Sequence, residues 1–255
     1  REKLDVDNGG WHPVAPSPIR VFDDGPPPKE LTRDEIKTLV QNFADSARRA
    51  DRIGFDLIEL HGAHGYLIHQ FLSPVSNQRA DEYGGTLENR MRFPLEVFEA
   101  VRTVWPKEKP ICVKISAADW VERGWTMAET LEYCARLRDL GCDFITVSSG
   151  GIVWTEKIPT APGFQVPFGV EIKNKVGIPV SAVGLIREPG HAEQIVASGS
   201  ADLVSLARGM LWDTRWVWHA ADSLGVEVAY PNQYSRARPQ LAHDTFATQA
   251  ASRER

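Results

Sequence analysis

The chain has 255 residues, 42% hydrophobic and 25% charged, with 29 Lys and Arg against 34 Asp and Glu for a formal charge of −5. This is material for one large globular domain or two small ones, with no positive excess to neutralise nucleic acid or an anionic membrane, so neither is expected as a partner. Cys112, Cys134 and Cys142 form no CxxC pair or zinc spacing, no apolar run reaches the ~18 residues of a membrane span, and the N-terminal stretch is polar; a cytoplasmic protein without a bound metal is expected.

Residues 1–30 contain six prolines (Pro13, Pro16, Pro18, Pro26, Pro27 and Pro28) and predict a long irregular loop or hairpin. Thr32-Arg33-Asp34-Glu35 has the capping-box form and opens a helix from about Arg33 to Ile53, which Gly54 ends ahead of an apolar run, Phe55 to Leu60. A helix from Leu87 to Val104 leads through Pro106 and Pro110 to a second run, Ile111 to Ile115. A second capping box, Thr126 to Glu129, starts a helix from Met127 to Leu140, followed by Gly141 and the run Phe144 to Val147. Helices from Val166 to Val176 and from Pro189 to Ser198 end at Gly177 and Gly199 and feed the runs Ile178 to Val183 and Leu203 to Leu206. A helix from Met210 to Leu224 carries Trp212, Trp216 and Trp218, which read as packing or subunit contact. From about Ala237 the chain is rich in Arg, Ala, Gln and Ser without periodicity, which makes 237–255 a polar extension of a single domain over 1–236.

The five apolar runs are continuous in character, as in strands covered on both faces, and their alternation with helices predicts a parallel α/β sheet. An open dinucleotide-binding sheet would show GxGxxG between a strand and a helix, and none occurs. Polar residues instead follow several strands: His61 and His64, Ser116 and Asp119, Ser148 to Gly151, Gly184, and Arg208. One site fed by many strand ends is the logic of a (β/α)8 TIM barrel. Five βα units are visible where such a barrel has eight, so an incomplete barrel is expected.

The densest chemistry lies between Glu59 and Pro74. His61 and His64, flanked by glycines at a strand end, can offer two N–H groups to an oxygen that gains negative charge, and Tyr66 adds a hydroxyl able to give a proton. A satisfied core histidine, a loop surface or a metal pair would use the same residues, although no further metal ligands accompany them. Lys114 sits inside an apolar run, where a cation needs an anion or strong acceptor unless it snorkels outwards. It suits a cofactor edge that becomes anionic, such as that of a reduced flavin. Gly150 lies in the Ser148–Gly151 segment and is counted with the cofactor contacts. Gly184, Ala207 and Arg208 close the last two strands, where barrels of this kind present backbone N–H groups and a cation to phosphate; a turn glycine and a surface arginine are the plainer readings.

The segment His61-Gly62-Ala63-His64-Gly65-Tyr66-Leu67-Ile68-His69-Gln70-Phe71-Leu72-Ser73-Pro74, with Asn77-Gln78-Arg79-Ala80-Asp81-Glu82-Tyr83-Gly84-Gly85-Thr86-Leu87-Glu88-Asn89-Arg90-Met91-Arg92-Phe93, closely resembles the old yellow enzyme family of FMN-dependent ene-reductases. The likeness runs from Val14-Ala15-Pro16-Ser17-Pro18-Ile19 to Gln233-Tyr234. It implies a (β/α)8 barrel in which FMN takes a hydride from NADPH or NADH and passes it to the activated C=C bond of an α,β-unsaturated carbonyl compound. His61 and His64 look like the pair that binds the substrate carbonyl, and Tyr66 like the proton donor or substrate contact. Lys114 stands where the family usually has an arginine on the flavin N1–O2 edge, keeping the charge and losing the planar fork. Gly184 and Arg208 match phosphate positions, with Ala207 where a glycine is more usual. Arg236 resembles an arginine that, in a thermophilic-type branch, reaches the neighbouring subunit's site, which implies a homo-oligomer; a solvent-exposed tail arginine is the other reading.

The resemblance also implies that three barrel strands, with part of the flavin site, would precede residue 1. Two other readings are a barrel module or inactive remnant of a larger flavoprotein of the dienoyl-CoA reductase kind, and a non-catalytic scaffold. The first would carry a cysteine cluster after the barrel, and no cysteine follows Cys142.

Overall fold

A computed structural model describes residues 4, 6–20 and 26–237 of the chain, with side chains as far as residue 234. The polar extension expected from 237 onward therefore lies, beyond its first residue, outside the described residues. The contacts divide the chain into two units, one of Arg1–Leu185 with Ile195–Ser205, the other of Ile186–Gln194 with Leu206–Arg255.

The first unit opens with a short parallel pair, β1 (Val14–Ala15) and β2 (Lys29–Glu30). The surrounding loop is pinned by Arg79, whose nearly buried guanidinium donates to the carbonyls of Pro16 (2.9 Å) and Leu31 (2.7 Å) and pairs with Asp81 at 2.6 Å. Three helices follow, separated by one strand: α1 (Arg33–Arg52), β3 (Ile58–Gly62), α2 (Leu67–Leu72) and α3 (Leu87–Val104). The pattern then alternates through β4 (Ile111–Ser116), α4 (Met127–Asp139), β5 (Phe144–Ser148), α5 (Val166–Val176), β6 (Val180–Ala182), α6 (Pro189–Ala197, which spans both units) and β7 (Leu203–Val204).

Both predicted capping boxes are present: Thr32 accepts the Glu35 N–H and Thr126 that of Glu129, each Glu reaching back to its cap. Gly177 ends α5 at φ 74°, a left-handed conformation that a glycine adopts without a Cβ penalty.

β3 to β7 form a five-stranded, wholly parallel sheet in sequence order. Its register places Leu60, Val113, Ile145 and Val180 in one row and Gly62, Ile115, Val147 and Ala182 in another, and every one of these residues is buried. Burying each large aliphatic contributes about 1.5–3 kcal/mol as an upper figure. The helices pack side by side in the order α1, α3, α4, α5, with α5 against β5 and β6.

The alternate rows point the other way. They carry Glu59 beside Cys112, and His61 beside Lys114, Thr146 and Ser181 in a single row. One face is aliphatic and the other polar; on the polar face Glu59 and His61 of β3 are exposed while Cys112, Thr146 and Ser181 are buried, so β4 to β6 are covered on both faces as the continuous runs suggested. Single-letter runs such as DLIEL and ICVKI hid the alternation because only every second residue need be aliphatic to bury one face. For the same reason β3 starts at Ile58 rather than Phe55, which is 53% exposed, and carries His61 inside the strand.

The second unit holds α7 (Arg208–Trp212), α8 (Trp216–Ser223) and a 3-10 turn, Asn232–Ala237. The single helix expected from 210 to 224 is thus two. Asp213 leaves helical geometry at φ −121°, ψ 93°, its carboxylate accepts the N–H of Arg215 at 3.0 Å, and the three tryptophans do not share one helix. Arg215 stacks over Trp218 and Tyr234 at 5.3 and 4.8 Å, and Trp216 Nε1 donates to the Arg187 carbonyl at 2.6 Å. Among the described residues no helix is long and apolar enough to cross a membrane, and no group of three or more His, Cys, Asp or Glu is arranged to hold a metal ion.

Candidate active site

The end of β3 turns sharply. His64 has φ 59° and Gly65 φ 72°, two successive left-handed residues, before α2 begins at Leu67. Several backbone groups of the turn have fixed partners. The His64 N–H donates to Ser116 Oγ (3.0 Å), and that hydroxyl donates to the Gly150 carbonyl (2.8 Å), which ties β3, β4 and the loop after β5 together. The Gly65 carbonyl accepts from Gln70 Nε2 at 2.7 Å, and the Gly65 N–H donates to His69 Nδ1 at 2.9 Å. That bond leaves the His69 ring proton on Nε2, which lies 2.9 Å from Asp119 Oδ1 with both side chains fully buried. Asp119 Oδ2 in turn accepts from Ser73 Oγ and the Trp125 N–H, each at 2.6 Å.

A second fastening is steric. A Cβ on Gly65 would stand 2.1 Å from the Gly151 carbonyl oxygen, and one on Gly151 (φ 96°) 2.4 Å from His64 Cα. The loops after β3 and β5 thus touch backbone to backbone, and only glycine permits it.

This framework gathers the three expected catalytic side chains. The His61 and His64 rings are 5.2 Å apart at 61°, and the Tyr66 ring lies 5.3 Å from His61. Lys114 is the register neighbour of His61 and is half-buried; its ammonium makes no hydrogen bond or ion pair among the described residues. It acts on both histidines. Partial desolvation and then the Lys114 charge hold the His61 imidazole below its usual pKa, and the same causes, with His61 third, bring His64 to about 4. Both rings are therefore neutral near pH 7, and each carries one N–H.

His64 Nε2 is 2.7 Å from Ser148 Oγ. Ser148 Oγ also lies 3.2 Å from Gln165 Oε1, which accepts the Ser149 hydroxyl at 2.7 Å. His64 and Tyr66 line a cavity of about 940 Å³ whose wall is completed by Val14, Ala15 and Ile19 on one side and Ile152, Trp154, Glu156 and Ile158 on the other. His61 and Lys114 stand outside that lining, on the polar face of the sheet. The Glu156 carboxyl accepts the Gly151 N–H at 2.6 Å, and burial raises its pKa.

The remaining expected residues lie on later elements of the two units. Gly150 (φ 71°) follows β5, its N–H donating to the Ala118 carbonyl at 2.8 Å and its α-carbon covered by Glu156 and Ile158. Gly184 (φ 117°) follows β6, and its carbonyl accepts the Gly163 N–H at 2.7 Å. Ala207 and Arg208 begin α7 in the second unit, both exposed. The backbone of Arg236 falls in the last described turn, and its side chain lies outside the described ones.

Sequence reasoning did not assign His69, Gln165 or Glu156 any role. His69 was within reach, being one turn beyond Gly65 on a helix too short to show periodicity. Gln165, which precedes α5, carries no local signal.

With this geometry in place, the relatives are informative. A protein-family model described as NADH:flavin oxidoreductase / NADH oxidase family matches residues 14–227. The chain belongs to that family. An NADPH dehydrogenase of Geobacillus thermodenitrificans (strain NG80-2) is 48% identical over 223 residues, 88% of this chain and 65% of its own length. Among solved structures, a complex of 2-naphthoyl-CoA reductase with 2-naphthoyl-CoA aligns at a TM-score of 0.77 and 26% identity over 84% of this chain and 33% of that one. An old yellow enzyme homologue from Zymomonas mobilis aligns at 0.65 and 28% identity over 82% of this chain and 62% of its own. The chain thus spans a little under two thirds of the dehydrogenase it matches, and the flavin oxidoreductase family likeness covers all of the sheet and the His61–Tyr66 turn.

Proposed function

We propose that this chain carries the substrate-binding side of an FMN-dependent ene-reductase that uses NADPH or NADH to reduce the activated C=C bond of α,β-unsaturated carbonyl compounds. The observation that carries the reading is the meeting, on β3, β4 and the turn after β3, of two neutral imidazoles, a tyrosine and a lysine that has no hydrogen bond or ion pair among the described residues. The five strands are read as part of a (β/α)8 barrel, which would cover the exposed Glu59 and His61 on the edge strand β3.

The residues fit a flavin. A half-buried ammonium without a counter-charge is costly unless an electron-rich group faces it, and Lys114 would hold the N1–O2 edge. Gly150 is read as a further contact. Gly184, Ala207 and Arg208 keep their phosphate assignment from the sequence alone, as does Arg236 its contribution to a neighbouring subunit. Bound FMN would supply hydride transfer from the nicotinamide to the alkene.

The chain's own residues do the rest. His61 and His64 donate to the substrate carbonyl oxygen and stabilise the negative charge it gains. Because both are held neutral by desolvation and Lys114, each offers one N–H and keeps one acceptor nitrogen. Tyr66 supplies a proton to the substrate α-carbon. The apolar wall of Val14, Ala15, Ile19 and Ile152 accommodates a hydrocarbon body and excludes water. Three buried free thiols, each raised by burial, support a cytoplasmic setting.

Phenols imitate an enolate oxygen and test the pair directly. His61→Ala and His64→Ala should each weaken phenol binding by about 1–3 kcal/mol. Unchanged affinity in both would remove the histidines from the oxygen site. Tyr66→Phe should slow alkene reduction while leaving flavin reduction intact. A second reading, a module acting on CoA thioesters, is favoured by the alignment to 2-naphthoyl-CoA reductase and would be revealed by preference for an enoyl-CoA over the free enone.

A further inference from the structure

Ser148 sits at the point where the site's hydrogen bonds must be apportioned. Its hydroxyl has one proton and two claimants, His64 Nε2 at 2.7 Å and Gln165 Oε1 at 3.2 Å. If the proton goes to Gln165, Ser148 Oγ must accept from His64 Nε2–H. His64 Nδ1 is then bare, and a neutral imidazole in that tautomer offers the cavity an acceptor. If the proton goes to His64, Nε2 accepts and the ring N–H is on Nδ1, available to an oxygen in the cavity that His64 lines. The distances favour the second arrangement. Gln165 Oε1 is already served by the Ser149 hydroxyl at 2.7 Å, so its contact with Ser148 is the longer and weaker of two.

We propose that Ser148 is a positioning residue that fixes the tautomer of His64, donating to Nε2 so that Nδ1–H is the group presented to the substrate oxygen. The assignment deepens the proposed oxygen-binding role of His64 and rests on it. Three features make Ser148 suited to this. It is the last residue of β5, locked in register opposite Ser116, the residue that receives the His64 backbone N–H. It is only 5% exposed, so water does not compete for its proton. The His64 ring is neutral at pH 7, so the tautomer rather than the charge decides whether it donates or accepts.

The test is nitrogen NMR of imidazole-labelled protein at pH 7 with phenol titrations of the flavin-loaded enzyme. The wild type should show His64 protonated on Nδ1. Ser148→Ala removes a single oxygen atom from a packed position and should fold; it should move the proton to Nε2 and weaken phenol binding about tenfold. Ser148→Thr, which keeps the hydroxyl, should restore both. Gln165→Leu should leave the proton on Nδ1, since it removes only the weaker claimant. A wild-type His64 protonated on Nε2, or a Ser148→Ala protein that keeps the Nδ1 proton, overturns the proposal. If His64→Ala binds phenol as the wild type does, the oxygen-site reading fails instead, and the NMR result still decides what Ser148 does to the ring.

Discussion

The contact between Gly65 and Gly151 can be weighed by a pair of alanine substitutions. Gly65→Ala faces two costs. Its φ of 72° is left-handed, which costs an L-residue about 1–2 kcal/mol. Its Cβ would lie 2.1 Å from the Gly151 oxygen and 3.0 Å from that carbonyl carbon, all backbone atoms that cannot rotate away. Overpacking of that kind costs about 1–3 kcal/mol as the loops are forced apart, for a total of about 2–5 kcal/mol. Gly177→Ala isolates the first cost, because Gly177 has nearly the same φ, 74°, and nothing within 4 Å of its Cβ position. Urea unfolding of both variants therefore separates backbone strain from the clash, and Gly65→Ala should be the less stable by about 1–3 kcal/mol. The displaced loop carries His64, so phenol binding should fall in Gly65→Ala and hold in Gly177→Ala. Equal stabilities within about 0.5 kcal/mol, a difference as small as an ordinary surface substitution, would mean that the two loops do not press on each other.

The His64 ring should titrate with a midpoint about 4, read from its proton or nitrogen shifts. Its folded pKa lies below the unfolded value of about 6.5, so the unfolded chain binds more protons between them, and stability falls as pH drops from about 6.5 towards 4. His64→Gln should flatten that part of the pH–stability curve; an unchanged curve refutes the assignment. Thr126→Ala removes a cap whose Glu129 also pairs with Arg90 at 2.5 Å, and it should cost about 0.5–2 kcal/mol in unfolding experiments. Glu35, held to about 2 first by its bond to Lys29, should titrate well below an ordinary glutamate in carboxyl-carbon NMR, and a midpoint near 4.5 would show that bond to be absent in solution.

The sequence by itself determined whatever depends on neighbours a few residues apart. Thr32 with Glu35 and Thr126 with Glu129 marked their helix starts, because a capping box closes over three residues. Gly177 marked its helix end, the order of strands followed from their alternation with helices, and the His61–Tyr66 cluster was legible because one turn holds it. The sheet's polar face was not, since continuous apolar runs conceal which residues point where until the register of the next strand is known. The second unit misled for a related reason: the helical pattern ran on across Asp213, whose carboxylate takes the Arg215 N–H and the His219 ring at the break between the two helices.

What the tertiary structure alone decided is the company His64 keeps. Ser116 is 52 residues away and Ser148 is 84, and the Gly151 backbone closes on Gly65 from the far side of another strand. Parallel strands bring such distant positions to one edge because each must cross over through a helix before pairing, and no local pattern encodes which hydroxyl then meets which ring.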